Sequence, residues 1–164
     1  MHQLTFPVAH KYSDLADSVT VPVTLRVGAL QLSLAASIDT GASFCLFGWE
    51  VAVDLGLNPE DGIPMSFRTA TGRFSALGYD VEIEVLGLAT TSVVFFFEDV
   101  ALDKNVLGRT GWLDRVQLGL VHHDNQLFLA PPRFLEAVSL EAIARAGNHT
   151  SKRPRRKPGP LIFS

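Results

Sequence analysis

The chain has 164 residues and a mass of 17.8 kDa, enough to bury the core of one domain and short for two. Residues 1–150 hold 9 Lys and Arg against 17 Asp and Glu, so this body is acidic, would repel phosphate and is not expected to bind nucleic acid. No apolar run reaches the length of a membrane-crossing helix, which argues against a helical membrane protein.

The cysteine content and the N-terminus bear on the compartment. Cys45 is the only cysteine, so the chain cannot form an internal disulfide. The first 18 residues lack the basic region and apolar stretch of a secretion signal. Together these features favour a cytoplasmic protein.

Two alternating runs predict a β-hairpin that leads directly into an acidic residue. Apolar and polar residues alternate strictly over residues 19–27, and again from Leu30 to Ile38, with Gly28 in the link between them. Pro22 has no N–H to donate, so it should lie at an edge or face solvent. The second strand runs straight into Asp39.

The next segments predict a short helix followed by a second hairpin. Trp49, Val53 and Leu57 stand at four-residue spacing before Pro59, which predicts a helix over residues 49–55. Strand patterns return around Thr71-Gly72, where glycine tolerates the positive φ of a hairpin tip.

The rest of the body is predicted to be mostly strand. The β-branched and aromatic run "TTSVVFFFEDV" (90–100) indicates a buried strand, with Phe95 to Phe97 in packing roles. A helical turn is predicted over residues 111–115, and a final hairpin turns at residues 123–125. The fold class is therefore all-β, a barrel or sandwich with one or two short helices.

The ends of the chain differ from this body. Residues 1–17 form an N-terminal segment before the predicted domain at 18–131. Residues 132–147 show helical periodicity. Residues 148–164 are Pro-rich and basic and are predicted to be a disordered tail, in which 152–157 ("KRPRRK") is a weak candidate for nucleic-acid or anionic-surface binding or for a localisation signal.

Asp39 is the residue with the clearest chemical potential. It is followed by Thr40 and Gly41, and no second Asp-Thr-Gly or Asp-Ser-Gly occurs. Glycine permits close approach of another backbone, and the threonine hydroxyl can bond to a neighbouring copy of the turn. The alternative is a purely structural role, because aspartate commonly caps backbone amides in turns. A single carboxylate does not easily act as both acid and base in amide hydrolysis, whereas a close pair can share one proton.

Three segments in order resemble the retropepsin-like aspartic proteases, over about residues 18–131. Residues 39–42 ("DTGA") correspond to the catalytic turn, and residues 65–77 to the flap, the hairpin that closes over substrate. Residues 106–109 ("VLGR") correspond to the brace, the segment that supports the catalytic turn, and "TGWLDRV" (110–116) to the helix after it.

The resemblance implies a homodimeric aspartic endopeptidase with a closed, barrel-like all-β fold, acting on polypeptides without a metal or other cofactor. The second carboxylate would be Asp39 of another copy. The site residues it implies are Asp39, with Thr40, Gly41 and Ala42 in the turn, Thr69, Ala70, Thr71 and Gly72 in the flap, and Leu107, Gly108 and Arg109 in the brace.

One departure from the family pattern keeps a second function open. Viral relatives usually carry an acid soon after the catalytic turn, which pairs with the brace arginine, but Ser43 and Phe44 stand there in this chain. Arg109 therefore lacks an obvious acid partner. The alternatives are a non-catalytic, dimeric peptide-binding module using the same groove and a protease domain from a larger polyprotein.

Other reactive side chains have plainer interpretations. His122 and His123 are adjacent in a predicted turn and would point apart, so exposed histidines are favoured over a metal site. Cys45 stands in an apolar context without an indicated base, which predicts a buried, unreactive thiol.

Overall fold

The computed structural model describes residues 4–69 and 72–132. The described residues belong to one compact unit, Met1–Pro132, and residues 133–164 lie outside the described residues. The predictions of a helix over 132–147 and of a disordered tail over 148–164 therefore fall on residues that are not described, apart from Pro132 itself. In the described part the strands are β1 (Val8–Lys11), β2 (Thr20–Val27), β3 (Leu30–Ile38), β4 (Leu46–Phe47), β5 (Ile63–Thr69), β6 (Gly72–Val85), β7 (Leu88–Phe97), β8 (Val106–Leu107), β9 (Gln117–Val121) and β10 (Gln126–Ala130), and the α-helix is α1 (Trp49–Asp54).

Seven strands form one large sheet that closes on itself. Their order is β2-β3-β8-β4-β7-β6-β5, and β2 also pairs with β6, so the strands make a ring. The predicted all-β, barrel-like fold is confirmed. The predicted helix is confirmed as α1, and the predicted turn at 111–115 contains a single 3-10 turn at Leu113–Arg115.

The hairpin that leads to Asp39 has the predicted form. β2 and β3 are antiparallel from Thr20↔Ser37 to Val27↔Leu30, and Gly28 in the link has φ of 57°. Pro22 is exposed, and it lies outside Val23–Arg26, the part of β2 that also pairs with β6. The missing N–H of Pro22 therefore leaves this second ladder intact.

A smaller sheet has the order β1-β10-β9. β9 and β10 are the predicted last hairpin, in which Asn125 adopts the left-handed conformation that asparagine tolerates better than most residues. β1 was not predicted. It pairs antiparallel with β10 from Val8↔Leu129 to Lys11↔Gln126, so the N-terminal segment contributes a strand to the sheet.

The core lies inside the ring and is almost entirely apolar. Alternate residues of β2 and β6 point inward, and they pack with Phe47, Phe96 and Trp112, all of which are fully buried. Burial of side chains this large stabilises the fold by roughly 1.5–3 kcal/mol each. No helix in the described ranges is long and apolar enough to cross a membrane.

Candidate active site

Asp39 lies immediately after β3, where that strand runs parallel to β8. Ile38 pairs with Leu107, and the Asp39 N–H donates to the Leu107 carbonyl oxygen at 3.1 Å. The start of the turn is thereby fixed to a buried strand of the ring, since Leu107 is fully buried. The Asp39 side chain itself is exposed.

Backbone amides of its own turn orient the Asp39 carboxylate. The N–H groups of Gly41 and Ala42 donate to Asp39 Oδ1 at 2.8 and 3.2 Å, and the Ala42 N–H also lies 3.2 Å from the Asp39 carbonyl oxygen. A Cβ at Gly41 would come within 3.0 Å of Asp39 Oδ1, so glycine keeps this approach open. Asp39 therefore does cap the backbone amides of its turn, as the purely structural interpretation requires. This capping occupies one carboxylate oxygen, and Oδ2 accepts no hydrogen bond from the described residues.

The predicted brace contacts the catalytic turn through its backbone. The N–H groups of Arg109 and Thr110 donate to the carbonyl oxygens of Ala42 and Ser43, each at 2.9 Å. The backbone of Gly108 lies directly against that of Phe44, the residue after Ser43. A Cβ at Gly108 would overlap the carbonyl group of Phe44. Glycine at this position is what lets the two segments touch.

The side chain of Arg109 bonds to a hydroxyl instead of an acid. Arg109 Nη2 donates to Ser43 Oγ at 3.1 Å, and neither residue is buried. Within residues 4–69 and 72–132, Arg109 forms no ion pair. The link that an acid would make in viral relatives is made here by Ser43, as a weaker neutral acceptor.

The predicted flap is a hairpin of β5 and β6. The two strands pair from Ile63↔Gly78 to Thr69↔Gly72, and Thr69 Oγ1 donates to the Gly72 carbonyl oxygen at 3.2 Å. Ala70 and Thr71, which we predicted at the tip, lie outside the described residues. Within the described part of the large sheet, β5 pairs with β6 alone, so its other edge is open.

A groove of about 450 Å³ lies between the catalytic turn and the flap. It brings together the predicted residues Asp39, Gly41, Ala42 and Thr69. The rest of its lining was not named among the predicted site residues, although Phe67, Arg68 and Phe74 belong to the predicted flap and Val106 to the predicted brace. It also includes residues of the turn, of β4 and β7 and of the loop before β8: Ser43, Phe44, Leu46, Phe97, Leu102 and Lys104.

Aromatic rings form much of the groove wall. Phe67 and Phe74 are stacked with centroids 5.0 Å apart, and Phe74 lies 5.1 Å from Phe97. Phe44 contacts Phe67 edge-on at 5.8 Å. The run at 95–97 was predicted to serve packing, and Phe96 does so in the core, whereas Phe97 also faces the groove. Phe67 on β5 and Phe74 on β6 lie directly opposite each other in the hairpin. One aromatic residue on each side of the predicted flap tip was the signal available in the sequence.

Two other residues considered in the sequence analysis, Thr40 and Cys45, do not line this groove. Thr40 is exposed, and its hydroxyl forms no hydrogen bond with the described residues. Cys45 is a free, buried thiol whose pKa is raised to about 11 by burial, as expected for an unreactive cysteine.

The two histidines have separate surroundings. His122 Nδ1 lies 2.7 Å from the Tyr12 hydroxyl, and the side chain of His123 is 97% exposed. Across the described ranges, no group of three or more His, Cys, Asp or Glu side chains could hold a metal ion.

Sequence comparison adds one finding. A family model described as an aspartyl protease matches residues 21–110, which is more than half of the chain. The match spans the β2–β3 hairpin, the turn at Asp39, the flap and the brace. A search of curated proteins finds no match to this chain.

Proposed function

The chain belongs to the retropepsin-like aspartyl protease family and has a protease-type function; from this we propose that it is an aspartic endopeptidase in which Asp39 of two identical chains forms one active site. The observation that carries the proposal is the state of the Asp39 carboxylate. It is exposed beside the groove, held through Oδ1 by two amides, and without a hydrogen bond at Oδ2 from the described residues.

The need for a second chain follows from counting carboxylates. Among the described residues, Asp39 is the only carboxylate that lines the groove, and the sequence contains no second Asp-Thr-Gly. A two-fold axis places the same residue opposite itself, so a homodimer supplies the second acid without a second motif. The exposed Thr40 hydroxyl is available for a bond across the same axis.

In the proposed dimer, two carboxylates roughly 3 Å apart hold one proton between them, a property established for aspartic protease dyads in general. The ionised Asp39 takes a proton from a water molecule while the oxygen of that water attacks the scissile carbonyl carbon. The protonated Asp39 donates its proton to the carbonyl oxygen, which becomes the hydroxyl of a tetrahedral intermediate. The proton taken from water then passes to the amide nitrogen as the C–N bond breaks. At the same time the other Asp39, now ionised, takes a proton from one hydroxyl of the intermediate as the C=O bond re-forms, so the pair again holds one proton.

The fold also offers a way to hold an extended peptide. β5 has an open edge, and Phe67 to Thr69 on that strand line the groove. A substrate strand can add to this edge through main-chain hydrogen bonds, with its side chains placed alternately in the groove. Movement of the hairpin of β5 and β6 would exclude water during the reaction.

The test is Asp39→Asn against a mixed peptide library. The amide oxygen of asparagine can still accept the two N–H bonds, so we expect folding and dimerisation to persist while cleavage falls by roughly 10³-fold or more. Asp103→Asn is the matched control, because Asp103 borders a neighbouring hollow together with Asp39 but not the groove. Full activity in Asp39→Asn would overturn the assignment.

A non-catalytic, peptide-binding dimer is the second candidate, and the bond between Arg109 and Ser43 in place of an ion pair favours it. A pH series separates the two functions. A protease governed by a carboxylate pair gives a bell-shaped rate profile, whereas a binding module leaves peptides uncut at every pH.

A further inference from the structure

Two cations of the described residues line the groove beside its aromatic wall. Besides Asp39, the charged residues in its lining are Arg68 on β5 and Lys104 in the loop before β8. Both are exposed, and neither forms an ion pair or a side-chain hydrogen bond with the described residues. Their charges are therefore available to a ligand in the groove.

Most Lys and Arg side chains of the described residues form no ion pair, and Arg68 and Lys104 are the two of these that line the groove. Residues 4–132 hold seven Lys and Arg against 15 Asp and Glu, so acidic partners are plentiful. Arg26 makes use of them, with Nη1 at 2.8 Å from Glu82 and 2.7 Å from Glu84, and Arg115 lies 3.9 Å from Asp114. Arg68 and Lys104 have no such partner among the described residues, so their charges beside the groove are not neutralised by a direct ion pair.

The flap adds an independent observation. Arg68 lies directly opposite Arg73 in the antiparallel register of β5 and β6, one pair before Thr69↔Gly72. Like charges directly opposite each other destabilise a hairpin. A carboxylate bound beside Arg68 would offset this repulsion, so an acidic ligand would stabilise the pairing of β5 with β6.

The apolar part of the groove constrains the same ligand. Phe44, Phe67, Phe74 and Phe97 present ring faces and edges to a space of about 450 Å³. Aromatic walls of this kind bury a large apolar side chain favourably, and they offer a carboxylate no partner. Among the charged groups in the described lining, Arg68 and Lys104 are those that attract a carboxylate.

We propose that the groove selects peptides that carry an Asp or Glu close in sequence to the apolar residue at the scissile bond, and that Arg68 and Lys104 bind that carboxylate. The inference rests on the proposed function, because it names the substrate class of the same site. The competing explanation is that both cations only offset the charge of Asp39. It predicts a changed pH profile in their variants without a change in substrate choice.

The experiment compares peptide pairs that differ only by Glu or Gln, placed in turn at each position flanking a cleaved apolar residue. At low salt the wild-type dimer should prefer the best Glu peptide by about fivefold in kcat/KM, the size expected for one partly exposed ion pair. The preference should weaken as salt is added, because exposed charges are screened. Arg68→Gln/Lys104→Gln should cleave the Glu and Gln peptides equally.

Two further variants make the test specific to the groove. Lys11→Gln/Arg115→Gln removes the same two charge types outside the groove and should keep the preference of the wild type. Arg68→Glu/Lys104→Glu should reverse it, favouring Lys over Gln at the same position. The Asp39→Asn dimer should bind the uncut Glu peptide more tightly than the Gln peptide by a similar factor, measured by fluorescence anisotropy.

The outcomes separate the two proposals. If wild type cuts no peptide, the proposed function fails, while binding to Asp39→Asn still decides the selectivity. Equal cleavage of Glu and Gln peptides by wild type overturns the selectivity alone. A preference that persists in Arg68→Gln/Lys104→Gln, or a pH shift in this variant without any change in preference, overturns the assignment to these two cations.

Discussion

Replacing Gly108 by alanine tests how the brace holds the catalytic turn. The new Cβ would overlap the carbonyl group of Phe44 and lie 3.0 Å from its nitrogen, so the two backbones have to separate. Separation weakens the hydrogen bonds from Arg109 to Ala42 and from Thr110 to Ser43.

The cost can be assembled from these contacts. Two backbone hydrogen bonds contribute about 1 kcal/mol each, and overpacking in a tight site typically costs ~1–3 kcal/mol. We therefore expect Gly108→Ala to lower the free energy of unfolding by about 3–5 kcal/mol. For a domain of this size the melting temperature would fall by roughly 10–20 °C.

Thermal and urea unfolding followed by circular dichroism give the measurement, with Gly48→Ala as the matched control. Gly48 has φ of −62°, and a Cβ there would make ordinary contact with Asp103 Oδ1 at 3.6 Å. Its cost should stay below about 1 kcal/mol, the usual range for a tolerated glycine substitution. Equal stability of Gly108→Ala and Gly48→Ala would refute the described role of the brace.

Two other predictions concern buried polar groups. Burial raises the pKa of the Cys45 thiol from 9.0 to about 11. Between these two pH values the folded chain keeps a proton that the unfolded chain loses. The free energy of unfolding should therefore fall as pH rises through this range. The free energy of unfolding should fall by about 2–3 kcal/mol in total, and by less in Cys45→Ala. Urea unfolding at pH 8 to 11 measures both proteins. An identical pH dependence in the two would contradict the prediction. The Tyr79 hydroxyl donates to the Asn58 carbonyl oxygen at 2.8 Å, and Tyr79→Phe should cost about 1 kcal/mol in the same assay, with no measurable cost counting against this bond.

The sequence allowed prediction of those elements whose cause is local. Strict alternation over residues 19–27, followed by the alternation of Leu30, Leu32 and Leu34, predicted that hairpin, and four-residue spacing predicted α1. The Asp-Thr-Gly turn and the brace were found as motifs, and backbone hydrogen bonds join the two segments in the structure. In each case the signal lies within a window of about ten residues.

Elements that depend on distant partners were missed. "VAHK" in β1 has too little alternation to indicate a strand, and it is stabilised by β10, more than a hundred residues further along. β4 and β8 have two residues each and exist only because neighbouring strands pair with them.

The groove shows the same limit. Its walls come from the turn at Asp39, the flap, the end of β7 and the loop before β8. The proximity of Arg68 and Lys104 follows from closure of the ring, and neither position has a sequence pattern of its own. A motif thus located the proposed catalytic carboxylate, whereas the residues proposed to choose the substrate needed the assembled fold.

The most direct test of the central claim, one active site from two Asp39 side chains, is to titrate a fixed amount of wild-type chain with Asp39→Asn chain and measure cleavage after the subunits have exchanged. Mixed dimers would hold a single carboxylate, so an equal amount of the variant should reduce the rate to about half and a threefold excess to about a quarter. A rate that stays constant at every excess of Asp39→Asn would show that one chain suffices and would contradict the account.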